Sequence, residues 1–189
     1  MYYVLTYETF SQTEAKQLPR PALPVGAPAR FDDGVLVAQP PHRLRFVMTP
    51  EERGELGDYV LTGLPGLLIS KRFRLALEAA GVDNIQYIDA EIEDQTSGQM
   101  YGDYFIANVI GSVDCIDMSK SKLTMRAALP DKIRDIDELH IDETRTRGLL
   151  LFRLARKLSL VLIHESVQEK VQAAQLRGAG FTPAEGYST

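Results

Sequence analysis

Between residues 18 and 41 the chain holds Pro19, Pro21, Pro24, Pro28, Pro40 and Pro41 together with Gly26 and Gly34. That density constrains the fold more than any other stretch. Each proline removes a backbone donor and fixes φ, so helix is blocked and any strand is confined to a sheet edge. The segment reads as an irregular N-terminal arm. Within it, residues 34 to 38 (Gly-Val-Leu-Val-Ala) suit an edge strand, and Arg43 to Met48 alternates well enough to form another. Ahead of the arm, Tyr2 to Tyr7 is rich in aromatic and β-branched residues and reads as a first strand.

The most legible unit follows the arm. Leu67-Leu68-Ile69 runs into Ser70, and Phe73, Ala76, Leu77 and Ala80 then recur at spacings of three and four. This predicts an amphipathic helix with Ser70 as N-cap and Gly81 in the left-handed position that ends it. Asn84 to Glu93 alternates as a strand, with its phase slipping near Ala90, and Asp94 to Gln99 makes a turn. Tyr104 to Ile110 is the second arm of a wide hairpin. Leu139 to Asp142 reads as short and extended. Leu149 to Leu154 and Leu158 to Ile163 suit two buried strands or a strand beside a helical turn. Ser166-Val167-Gln168-Glu169 is a capping box that predicts a helix to Arg177, with Gly178 after it and an irregular tail in which Phe181 anchors to the core. No internal repeat is visible. The expectation is an α+β fold, a single domain over residues 1–189 with a mostly antiparallel or mixed sheet and a few packed helices. Residues 1–50 supply the first strand and the Pro-rich arm.

A chain of 189 residues with 44% apolar side chains can bury a core. The best membrane candidate, Leu149 to Ile163, is interrupted by Arg153, Arg156 and Lys157 and cannot cross hydrocarbon. The first residues lack the features of a secretory signal, so a cytoplasmic protein is expected. A single cysteine, Cys115, fits a reducing compartment and packs as a small hydrophobe. The net charge of −5 is unevenly spread. Six acids and no Lys or Arg lie between Asp83 and Asp103, six acids against two bases between Asp131 and Glu143, and seven bases against three acids from Thr144 onward. The acidic middle argues against nucleic acid as a ligand there and suits a basic protein partner.

No catalytic or metal-binding constellation is visible. His42, His140 and His164 lie far apart and none sits in a ligand spacing. The glycine-bearing segments at 63–66 and 102–103 lack the spacing of a phosphate loop. Ser70 followed by Lys71 and Arg72 suits a capped helix better than an anion site. No cofactor and no metal are expected. The acids Asp89, Glu91, Glu93, Asp94 and Asp103 stand out instead, because alternate strand positions put Asp89, Glu91 and Glu93 on one face as a negative ridge. That ridge suits either binding or solubility.

Leu68-Ile69-Ser70-Lys71-Arg72-Phe73, Asn84-Ile85-Gln86-Tyr87, the run from Tyr104 to Val109, Val113-Asp114-Cys115-Ile116-Asp117, Leu151-Phe152-Arg153-Leu154 and Ile163-His164-Glu165-Ser166-Val167 follow one another along the chain. Their order and spacing resemble the immunity-protein family numbered eleven of bacterial polymorphic toxin systems. The likeness spans residues 60–181. The resemblance implies a small cytoplasmic protein that neutralises a cognate toxin by binding it, with no catalysis, no cofactor and no catalytic residue to carry over. A basic nuclease is one such toxin, which the acidic ridge would attract. Against this stand two alternatives. An enzyme of unrecognised type would need Ser70, Asn108, His140 and His164 to converge on a pocket, and a scaffold module would dock its partner through the arm.

Overall fold

A computed structural model describes residues 1–28 and 30–189. Two five-stranded sheets form from segments whose β-branched and aromatic residues alternate between two buried faces. Sheet one has the order β12-β1-β11-β10-β7, built from β1 (Tyr2–Tyr7), β7 (Ser112–Val113), β10 (Leu151–Leu154), β11 (Lys157–His164) and β12 (Ala179–Pro183). Sheet two has the order β2-β5-β6-β4-β3, from β2 (Leu44–Met48), β3 (Tyr59–Val60), β4 (Leu67–Ser70), β5 (Ile85–Asp94) and β6 (Met100–Val109). Both are mixed: β2 pairs with β5 and β7 with β10 in parallel, and the other pairings are antiparallel. A separate hairpin joins β8 (Lys122–Arg126) to β9 (Leu129–Glu138). The helices are α1 (Lys71–Ala79) and α2 (Glu165–Ala173). The fold class is α+β.

A duplicated unit that the sequence does not reveal organises these elements. In sheet two the hairpin β3–β4 leads into α1 and on to β5, with β6 inserted between β4 and β5. In sheet one the hairpin β10–β11 leads into α2 and on to β12, with β1 inserted between β11 and β12. The two units match at a constant sequence offset. Ser70 and His164 end their strands and cap their helices, Phe73 and Leu77 correspond to Val167 and Val171, and left-handed Gly81 and Gln175 follow the helices. Side-chain identity has diverged while the pattern of burial has not, which is why no repeat shows in the letters.

The helices pack on each other and on their own sheets. Ile69, Phe73, Leu77 and Val82 from the first unit meet Ile163, Val167, Val171 and Leu176 from the second in one central apolar cluster. The opposite face of sheet two, including Leu68, Ile88, Ile92 and Ile106, is covered by Leu18 and Phe31. The opposite face of sheet one, with Val4, Phe152 and Leu162, is covered by Ile133 and Ile136 of β9 and by Ala184. Cys115 lies in this third cluster, and burial pushes its thiol up to about 11.

Four sequence expectations need correction. Residues 34–38 form no strand, because the Gln86 side chain takes both the N–H and the C=O of Val37 (3.0 and 2.9 Å) and so occupies the groups that a ladder would use. Helix α2 starts at Glu165, and its cap is His164, whose Nδ1 accepts from the Ser166 N–H at 3.3 Å. Ser166 therefore sits in the first turn, and α2 ends at Ala173. The tail from Ala179 is the strand β12, paired with β1, and Phe181 packs on the central cluster. The hairpin β8–β9 has no counterpart in the expectations; its pairing shifts register at three places, which breaks the alternation that would announce it. At the slip expected near Ala90 the register does shift, but the extra residue lies on β6 between Tyr101 and Tyr104, and β5 keeps its alternation.

Candidate functional site

The acidic residues of β5 and β6 lie on two faces of sheet two. Even-numbered positions of β5 (Ile88, Ala90, Ile92) point under the arm, and odd-numbered ones (Ile85, Tyr87) point to the helix side. Asp89, Glu91 and Glu93 continue the odd row beyond the helices. Asp89 is exposed. Glu91 and Glu93 are half-buried and pair with Arg43 (3.2 Å) and Arg45 (2.7 Å) of the parallel neighbouring edge. The ridge is thus partly neutralised by a ladder of arginines that lies 48 residues earlier in the chain. Exposed pairs of this kind contribute about 0–1 kcal/mol each. Among the described residues, Asp89 and Asp103 have no ion partner.

Asp94 departs from the ridge. It is 3% exposed and accepts from the Thr96 and Ser97 N–H groups (2.9 and 3.3 Å) and from the Ser97 hydroxyl (2.8 Å), with Arg53 at 3.3 Å. The Ser97 hydroxyl, then the Thr96 and Ser97 N–H groups and Arg53, hold its carboxyl below the usual range. Asp94 shapes the β5–β6 turn and is not available to a partner.

Aromatic groups that spacing did not single out for binding adjoin Asp89. Tyr87 and Phe105 stack edge to face at 6.1 Å, and the Arg74 guanidinium of α1 lies over both rings at 4.5 and 4.8 Å. Phe105 pairs in register with Asp89. Arginine, tyrosine and neighbouring charge are the composition that dominates protein interfaces. Burial pushes the Tyr87 hydroxyl up to about 12 and keeps it protonated.

The residues that an enzyme would have to bring together are engaged separately. The Ser70 hydroxyl donates to Asp58 (2.6 Å) and caps the Phe73 N–H (3.2 Å). Asn108 donates to the Val35 carbonyl and to Gln86 (2.8 and 3.1 Å). His140 bridges Glu138 and Glu185, and His164 caps α2. Among the described residues, no three His, Cys, Asp or Glu side chains gather as a metal site. Among the described residues, no helix is long and apolar enough to cross a membrane.

No curated protein matches the chain. Residues 6–186 do match a known protein family, and the match takes in both duplicated units, the arm and the β8–β9 hairpin. The chain belongs to the immunity protein family Imm11.

Proposed function

We propose that the chain neutralises a cognate toxin by binding it directly, as a single cytoplasmic domain that performs no chemistry on it. The observation that carries this reading is the family match across residues 6–186. A binder needs a firm scaffold and a complementary surface but no reactive group. The contact surface is the helix-side face of sheet two, with Asp89, Glu91, Glu93 and Asp103 supplying negative charge and Tyr87, Phe105 and Arg74 supplying area. A toxin with a basic active surface, such as a nuclease, meets this face with opposite charge, and the carboxylates take the place of phosphates.

Co-expression with a candidate toxin, scored first by survival and then by co-purification, tests the reading. Rescue with a stable complex supports it; killing that continues in the presence of folded protein refutes it for that toxin. The variant Asp89→Asn/Asp103→Asn tests the surface. Its association rate should fall by about three- to tenfold at low salt and lose part of its salt dependence. Unchanged association would remove this face from the account.

A further inference from the structure

Five bases from distant parts of the sequence gather in one place. A groove of about 210 Å³ lies between the β8–β9 hairpin, the turn joining β10 to β11, and the arm. It is lined by Arg30, Arg126, Lys132, Arg156 and Lys157, with Asp33 as its one carboxylate. In a chain with more acids than bases, that concentration is unexpected.

Not all five cations are neutralised. Arg30 pairs with Asp32 and Asp33, and Arg156 holds Asp114 through two nitrogens at 2.9 and 3.0 Å. Arg126, Lys132 and Lys157 instead donate to the main-chain carbonyls of Ile133, Ala155 and Arg134. A carbonyl orients a cation without cancelling its charge. Arg126 and Lys157 have no ion pair among the described residues, and Lys132 reaches only the exposed Asp131 at 3.6 Å. Burial pulls the Lys157 amine down from its ordinary value, the Asp135 charge opposes that pull and the Arg126 charge adds to it. Ile133 and Leu158 supply an apolar lining, and Leu129 at the rim is 52% exposed.

We propose that this groove docks an acidic peptide segment of a protein partner, with carboxylates on Arg126, Lys132 and Lys157 and an apolar side chain on Leu129 and Leu158. A nucleic-acid backbone offers phosphates but nothing for the apolar lining, and the net charge of −5 opposes a long polyanion. An acidic segment with an interspersed leucine satisfies both halves of the groove. The site lies apart from Asp89 and Asp103, so the inference stands whether or not those acids touch a toxin.

The test is an amide NMR titration of the full chain with a short peptide of alternating glutamate and leucine, set against a thymidine oligonucleotide of equal charge. The peptide should give saturable shifts at Leu129, Ile133, Leu158 and Ser159. Its affinity should fall about tenfold or more in Arg126→Gln/Lys157→Gln, where two charge-assisted contacts are lost, and stay unchanged in Lys120→Gln, whose side chain pairs with Asp117 outside the groove. Lys132→Gln gives a second reading, with a severalfold loss, should the double variant unfold. Absent saturation, affinity indifferent to these substitutions, or oligonucleotide binding as tight as peptide binding would each overturn the proposal.

Discussion

Replacing Asp58 by alanine should remove the polar joint between the two duplicated units. Its carboxylate is 5% exposed and accepts from the Ser70 hydroxyl at 2.6 Å, the Arg72 guanidinium at 3.0 Å and the Arg177 N–H at 3.0 Å. Its own N–H donates to the Arg177 carbonyl, and the Ser70 N–H donates to the Asp58 carbonyl. The start of α1 and the segment after α2 are thus held by one residue. In Asp58→Ala the Arg72 side chain returns to water at a cost of about 0–1 kcal/mol. The Ser70 hydroxyl and the Arg177 N–H are left without an acceptor, at about 1–3 kcal/mol each. The sum is about 2–7 kcal/mol, a large share of the 5–15 kcal/mol typical of a domain.

Urea unfolding followed by far-UV circular dichroism reads this as a lower midpoint at constant slope. Ser70→Ala alone should cost about 1–2 kcal/mol through the lost cap and hydrogen bond. The double variant should cost less than the two singles together, because with Ser70 truncated there is no orphaned hydroxyl to count. A loss under about 1 kcal/mol for Asp58→Ala, or strict additivity, would refute the joint.

Other perturbations bear on the rest of the fold. Phe73→Ala opens the central cluster where both helices meet, and should cost about 3–5 kcal/mol in the same urea assay. Hydrogen bonds that the His140 imidazole donates to Glu185 and Glu138 raise it above its ordinary value. Its hold on the C-terminal tail is therefore complete below the unfolded-state pKa and fades as pH rises through the folded-state value. An NMR titration of His140 should show a lower midpoint in Glu185→Gln. The Cys115 thiol, buried and pushed up to about 11, should resist a thiol reagent in the native protein and react fully once urea unfolds it.

Local signals reached as far as local physics does. The cap at Ser70, the left-handed Gly81 and the strand Tyr2–Tyr7 each depend on a few neighbouring residues, and each stands where the sequence puts it. Whatever depends on distant partners was illegible. The arm gives up its expected strand to the side chain of Gln86, and His164 displaces Ser166 as cap because β11 runs one residue into the would-be turn. The ridge shows the same division. Alternation correctly placed Asp89, Glu91 and Glu93 in one row, but the arginines that pair with two of them come from β2, and Asp94 turns away to hold its own turn. The Tyr87–Phe105–Arg74 group needs two strands and a helix to assemble, so no spacing signals it. The cations of the groove are brought together from the arm, the hairpin and β11.

The central claim is neutralisation by direct binding, and titration of a purified toxin's activity with this protein tests it most directly. Binding predicts that inhibition grows in proportion to added protein and stops at a fixed molar ratio that does not change with incubation time. Inactivation by substoichiometric protein that deepens with time would mean that the chain turns over its target, and would contradict the account.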